Sequence, residues 1–226
     1  MPNDAQRGLL VSYLTLRKLV GFFGMGLPIV MLLLGFLFYG CCHVQPSVSD
    51  YYALKTRDVF VGMLFAIGTF LFTYRGYELK DDVAGKFAGA FAYGVALFPS
   101  SGGGWVGCAH FFFAGALFLV LSYYALCLFT KSKGVRTSRK VIRNRHYEFC
   151  GWTMVACIVL IVVYDLLLKH TVIAEAKPVL VLESLALLAF GWAWAIKGEF
   201  LLKDTESVSR VVGPADQQAP GDCLVS

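Results

Sequence analysis

Side chains able to do chemistry fall at four places along an otherwise apolar chain. His43, Asp50, Arg57 and Asp58 lie in one stretch, HVQPSVSDYYALKTRDVFVG from His43 to Gly62, beside paired tyrosines and two serines. His110, Asp165 and Glu183 each stand within or at the edge of an apolar run. A histidine among carboxylates can relay a proton or help to hold a metal. An arginine can clasp a phosphate or carboxylate with two parallel hydrogen bonds. A carboxylate inside an apolar helix is costly unless it faces a partner or a cavity, so Asp165 and Glu183 are read as the intramembrane candidates.

Of the 226 residues, 58% are hydrophobic and 15% charged. A soluble domain carries nearer a quarter charged residues, so the composition fits a polytopic membrane protein. The apolar runs are continuous rather than alternating, which excludes a β-barrel. The net charge of +5 does not indicate nucleic acid, because the basic residues sit between apolar runs, where membrane topology alone demands them.

Six spans are expected: Leu19 to Gly40, Val59 to Tyr74, Val83 to Phe98, Cys108 to Thr130, Phe149 to Leu168 and Pro178 to Ile196. The fold class is an all-α six-transmembrane-helix bundle, divided into a cytoplasmic N-terminal segment (1–18), a six-span domain (19–196) and a cytoplasmic tail (197–226) expected to be disordered. No small-x-small cleavage site follows the first span, which is read as an uncleaved anchor. Sixteen lysines and arginines fall on one side of this arrangement and four on the other. By the positive-inside rule both termini are cytoplasmic, in the cell membrane.

Within the third span Ala84, Ala88 and Ala92 recur every four residues, as do Gly85 and Gly89. Such spacing lets helix backbones approach closely and predicts a central position for this helix. Asp81 and Asp82 are placed to cap its start. Trp192, Trp194, Tyr51 and Tyr52 are read as interfacial aromatics, and Lys131 to Arg145 as a basic cytoplasmic loop. Few polar groups are expected to be buried in the inner half of the bundle, which disfavours transport. The seven cysteines show no metal-ligand spacing. A disulfide from Cys108 to Cys41 or Cys42 competes with free thiols.

The topology gathers the ionisable groups at the outer face. Asp165 is about sixteen residues, or roughly 24 Å, into its span, and Glu183 about five residues, or roughly 8 Å, into its own. Asp58, His110, Asp165 and Glu183 are therefore expected at one depth. Three readings follow. In the first, an outward-facing polar pocket binds a lipid or other amphiphile through Arg57, Asp58, Asp50, His43 and Asp165. In the second, a hydrolase uses His110, Asp58 and Glu183, with a divalent metal on His110, Asp165 and Glu183, or a serine from Ser47 to Asp50 or Ser100-Ser101 as nucleophile. In the third, the groups are structural: Asp58 caps its helix and Arg57 pairs with Asp50 or Glu183. A small transporter or channel-like subunit ranks below these.

The segments RDVFVG (Arg57 to Gly62), YRGYE (Tyr74 to Glu78), DDVAG (Asp81 to Gly85) and FAYGVALFP (Phe91 to Pro99) resemble those of uncharacterised six-span bacterial membrane proteins. More distantly the chain resembles the Frag1/DRAM/Sfk1-type group, whose first outer loop also has a serine-containing polar segment before the second span. The resemblance covers Ser47 to Pro99 and implies membrane and lipid organisation without an assigned catalytic residue. It favours the amphiphile-binding reading. Membrane lipids are thus the expected partners, with no cofactor and no nucleic acid, and self-association into a homo-oligomer stays open.

Overall fold

The computed structural model describes residues 4–40, 44–76, 78–131 and 138–200. Cys41, Cys42, His43 and the tail from residue 201 lie outside the described residues, and with them the expectations of a disulfide to Cys41 or Cys42, a binding role for His43 and a disordered tail. Cys108 is a free thiol.

Continuous apolar sequence leaves the backbone only one way to satisfy its polar groups in lipid, the helix. Among the described residues there is no strand, and six long helices run in order: α1 (Asp4–Tyr39), α2 (Arg57–Thr73), α3 (Leu79–Leu97), α4 (Trp105–Tyr123), α5 (Ser138–Val163) and α6 (Pro178–Lys197). Four stretches are long and apolar enough to cross a membrane: Leu14–Tyr39, Trp105–Leu128, Arg139–Leu168 and Pro178–Lys197. The 17-residue α2 and the 19-residue α3, which opens on Lys80, Asp81 and Asp82, do not meet that combined measure.

Two boundaries differ most from the sequence expectation. The first helix already begins at Asp4, inside the segment expected to precede it. Half of the expected basic loop is helical, because Ser138 to Arg145 form the first turns of α5.

Each helix packs on its neighbours in sequence, and α6 closes on α1, so the six form a ring. Neighbours run antiparallel. Gly68 of α2 meets Gly89 of α3 while Leu71 meets Gly85, and Gly21 of α1 meets Gly191 and Ala195 of α6 while Gly24 meets Phe190. The core receives side chains from all six helices, among them Met31, Ile67, Ala88, Leu121, Met154 and Phe190. In lipid, helix association depends on close packing rather than on hydrophobic burial. The small residues are therefore the joints. A Cβ on Gly89 would lie 2.7 Å from the Gly68 carbonyl, and one on Gly191 would lie 2.5 Å from the Gly21 carbonyl. The α3 stripe of Ala84, Gly85, Ala88, Gly89 and Ala92 is buried as expected. It makes α3 a tightly seated ring member rather than a central helix.

Helix ends have local causes. Glu78 and Asp81 form a reciprocal capping box at the start of α3, and Asp82 accepts the Gly76 amide at 2.8 Å. Such a box satisfies two donors that the first turn leaves over. Pro178 opens α6, where its missing N–H costs nothing. Helices α4 and α5 end in π-helical turns, Tyr124–Leu128 and Tyr164–Leu168. Such turns widen the helix and re-aim the side chains that follow.

Candidate functional site

The segment 44–56, between α1 and α2, lies across one end of the ring. Short polar residues favour its turns: Ser47 Oγ accepts the Asp50 amide at 3.0 Å, and Thr56 Oγ1 donates to the Tyr51 carbonyl at 2.8 Å. A 3-10 turn, Ser49–Ala53, drives Tyr51 and Tyr52 inward. Tyr51 is 1% exposed and its ring seats against Gly35 of α1. Neither tyrosine is the interfacial belt residue that the sequence suggested. They are the plug of a loop cap.

Glu183 holds that cap. Its carboxylate accepts the backbone amides of Val48 at 2.7 Å and Ser49 at 3.2 Å, and the Ser49 hydroxyl at 3.4 Å. The Leu180 amide donates to the Pro46 carbonyl at 2.9 Å, and the Lys177 ammonium donates to the Val44 carbonyl. Lys177 itself adopts a left-handed backbone, φ 51°, uncommon for a residue with a Cβ. Lys177, Leu180 and Glu183 thereby sew the start of α6 to the loop with five hydrogen bonds.

Two further candidates join this end. Asp50 accepts the Ser100 hydroxyl at 2.9 Å, linking the cap to the α3–α4 connection, and lies within electrostatic reach of both Glu183 and His110. His110 is 1% exposed, and its Nδ1 is 2.7 Å from the Phe98 carbonyl. That bond fixes the ring to the connection that Ser100 anchors. Asp50, His110 and Glu183 are therefore brought together, as their positions in the chain suggested.

The remaining candidates are placed differently. Arg57 does not pair with Asp50 or Glu183. Its guanidinium lies 4.8 Å from the centre of the Tyr52 ring and donates to the Tyr52 hydroxyl at 3.1 Å, with the residue itself exposed. Asp58 is exposed in the first turn of α2. The N-cap residue is Thr56, and no side chain caps that end, which corrects the capping role expected of Asp58. Asp165 stands apart, exposed on the π-helical end of α5 and bonded to Lys169 at 3.1 Å. Counting residues sets a depth along α5 but not which face of the helix a side chain takes, and Asp165 faces outward. Among the described residues no group of three or more His, Cys, Asp or Glu side chains is placed to hold a metal ion. His110, Asp165 and Glu183 do not form one.

The opposite end corrects a second expectation. It is rich in buried polar side chains: Arg17, Asp81, Arg143 and Asn144 are each at most 9% exposed. The sequence reading placed Arg17, Arg143 and Asn144 ahead of their spans, because helices α1 and α5 were expected to start later than they do, and read Asp81 as a cap of α3. Trp194, read as an interface anchor, is 1% exposed among Tyr74, Tyr124 and Phe129. At the rim Lys131 is bonded to Glu78 at 2.8 Å, and that bond holds its ammonium above the ordinary value. No family model, curated protein or solved structure matches this chain.

Proposed function

We propose that the chain is a six-span protein of the cell membrane, with both termini cytoplasmic, that binds a lipid or other amphiphile at the end closed by the loop cap. The observation that carries this reading is the exposed guanidinium of Arg57, held over the Tyr52 ring at the head of α2. A cation braced in this way keeps outward donors for a phosphate or carboxylate headgroup while losing little freedom on binding.

Apolar surface suited to an acyl chain lies close by. The Tyr39 hydroxyl at the end of α1 accepts the Lys55 amide at 2.9 Å, two residues before Arg57. The last turns of that helix expose Leu33, Phe36, Leu37 and Phe38. Asp58 beside Arg57 would favour a headgroup carrying a positive as well as a negative charge. In this reading Asp50, His110 and Glu183 lie behind the headgroup, where they hold the cap to the bundle.

Native mass spectrometry of gently solubilised protein tests the proposal. Wild type is expected to retain a lipid that Arg57→Gln loses, with Arg57→Lys in between, because lysine keeps the charge without the planar fork. Equal lipid retention by wild type and Arg57→Gln would remove the headgroup role.

A further inference from the structure

The loop cap is tied to the bundle by bonds of two kinds. At its start, backbone carbonyls accept: Pro46 from the Leu180 amide at 2.9 Å and Val44 from the Lys177 ammonium. Added acid leaves an amide and an ammonium as they are. Further along, where Tyr51 and Tyr52 turn inward, the bonds that reach α6 and the α3–α4 connection end on carboxylates. Glu183 meets three donors, the Val48 and Ser49 amides on Oε2 and the Ser49 hydroxyl on Oε1. Asp50 meets one, the Ser100 hydroxyl.

A proton acts differently on the three titratable groups at this end. A carbonyl only accepts, so the His110 Nδ1 that lies 2.7 Å from the Phe98 carbonyl already carries its hydrogen. Protonating the ring leaves that bond in place. Asp50 faces a single donor and still offers it an oxygen when protonated. Glu183 has no oxygen to spare, because its three donors occupy both. A proton on Oε1 displaces the Ser49 hydroxyl as donor and removes the charge that strengthens the two amide bonds. Neutral bonds of this kind are about half as strong as charge-assisted ones.

The neighbouring charges leave Glu183 open to such a change. Asp50, on the cap, acts on Glu183 and on His110 of α4. Lys177, on the same helix as Glu183, is turned to the Val44 carbonyl, and Arg57 is turned to Tyr52. Among the described residues no cation forms an ion pair with Glu183.

We propose that Glu183 is a proton-operated latch: its carboxylate holds residues 48–53 shut on the bundle, and protonation loosens them. The hinges are residues 44–46, fixed to the start of α6, and Lys55, whose amide donates to the Tyr39 hydroxyl at 2.9 Å. Loosening between these hinges withdraws the Tyr51 ring from its seat against Gly35 and opens this end of the bundle to the medium. The inference does not depend on the amphiphile reading of the same end, because it concerns the motion of the cap alone.

Hydrogen exchange of the full-length protein in detergent, followed from about pH 8 to about pH 4 and corrected for intrinsic exchange, tests the latch across the ordinary imidazole and carboxylate ranges. Wild-type amides of residues 48–53 are expected to lose about tenfold in protection as pH falls. Those of residues 84–92, in the buried stripe of α3, are expected to keep theirs. Glu183→Gln, which fixes the neutral form, is expected to exchange at every pH as wild type does at the acid end. Should that variant not fold, Asp50→Asn/His110→Gln, which leaves Glu183 as the titratable group of the three, is expected to keep the wild-type response. Cap protection in wild type that ignores pH, or that falls only together with that of α3, would overturn the proposal. So would a wild-type response in Glu183→Gln, or its loss from the double variant.

Discussion

Glu183 shows how one side chain can answer two structural needs. An acid near the end of a membrane helix is costly alone, and an irregular loop at that depth leaves amides without acceptors. Bonded to the Val48 and Ser49 amides, each satisfies the other. Glu183→Ala leaves both amides bare and is expected to lower stability by about 2–3 kcal/mol, with Glu183→Gln losing less because one acceptor oxygen survives. Thermal unfolding in detergent measures both. The exposed pair Lys131–Glu78 behaves differently. Its hydrogen bond to Glu78 raises the lysine above the ordinary 10.5, so its contribution is complete below that value and is lost only as pH climbs through the raised one. Unfolding midpoints of wild type and Lys131→Ala are therefore expected to keep a constant, small separation from neutral pH up to that range. Much of this scale was legible in the chain. Glu183, Asp50 and His110 could be placed at one end by counting residues along helices. Arg17 and Arg143 could not, because their positions next to apolar runs looked like ordinary flanks, and only the earlier helix starts turn them inward.

At the scale of elements, small residues decide which helices touch. The four-residue spacing in α3 was readable, whereas the equally close joint of Gly21 with Gly191 lacks such a repeat and emerges only from two distant helices meeting. Gly89→Ala is expected to cost about 1–3 kcal/mol, since its methyl would meet the Gly68 carbonyl and the Phe72 amide, both backbone atoms that cannot swing aside. Gly62→Ala, on α2 where nothing lies within 4 Å, is expected to stabilise the helix by about 0.5–1 kcal/mol. Opposite signs in the two unfolding experiments would separate packing from helix propensity. Similar signs would mean that the α2–α3 joint is looser than described. The π-helical endings of α4 and α5 had no signature in the hydropathy pattern, because a π turn changes the register of an apolar run without changing its composition.

For the whole molecule, composition sufficed to read an all-helical membrane-type fold, and the continuous apolar runs to locate its helices. The ring order rests on pairings between helices distant in the chain, which no local pattern encodes. If all six helices span, as proposed, the α3–α4 connection and the Lys131 rim face opposite compartments. In a background with Cys41, Cys42 and Cys223 replaced by serine together with Cys108 and Cys127, the two exposed thiols among the described residues, a cysteine at Ser101 is expected to react with an impermeant maleimide in intact cells. One at Lys131 is expected to react only after permeabilisation, and labelling of both from one side would refute the six-span arrangement. The closure of α6 onto α1 also sets an order of events during synthesis. Helices α2 and α3 can pair as soon as both have left the ribosome, but the face of α1 around Gly21 and Gly24 must wait for the last helix to be made. Until then the nascent protein is an open arc with its first helix half-dressed in the bilayer. A chain that stops before Pro178 is therefore expected to be held by membrane quality control and degraded, even though five of its six helices are intact.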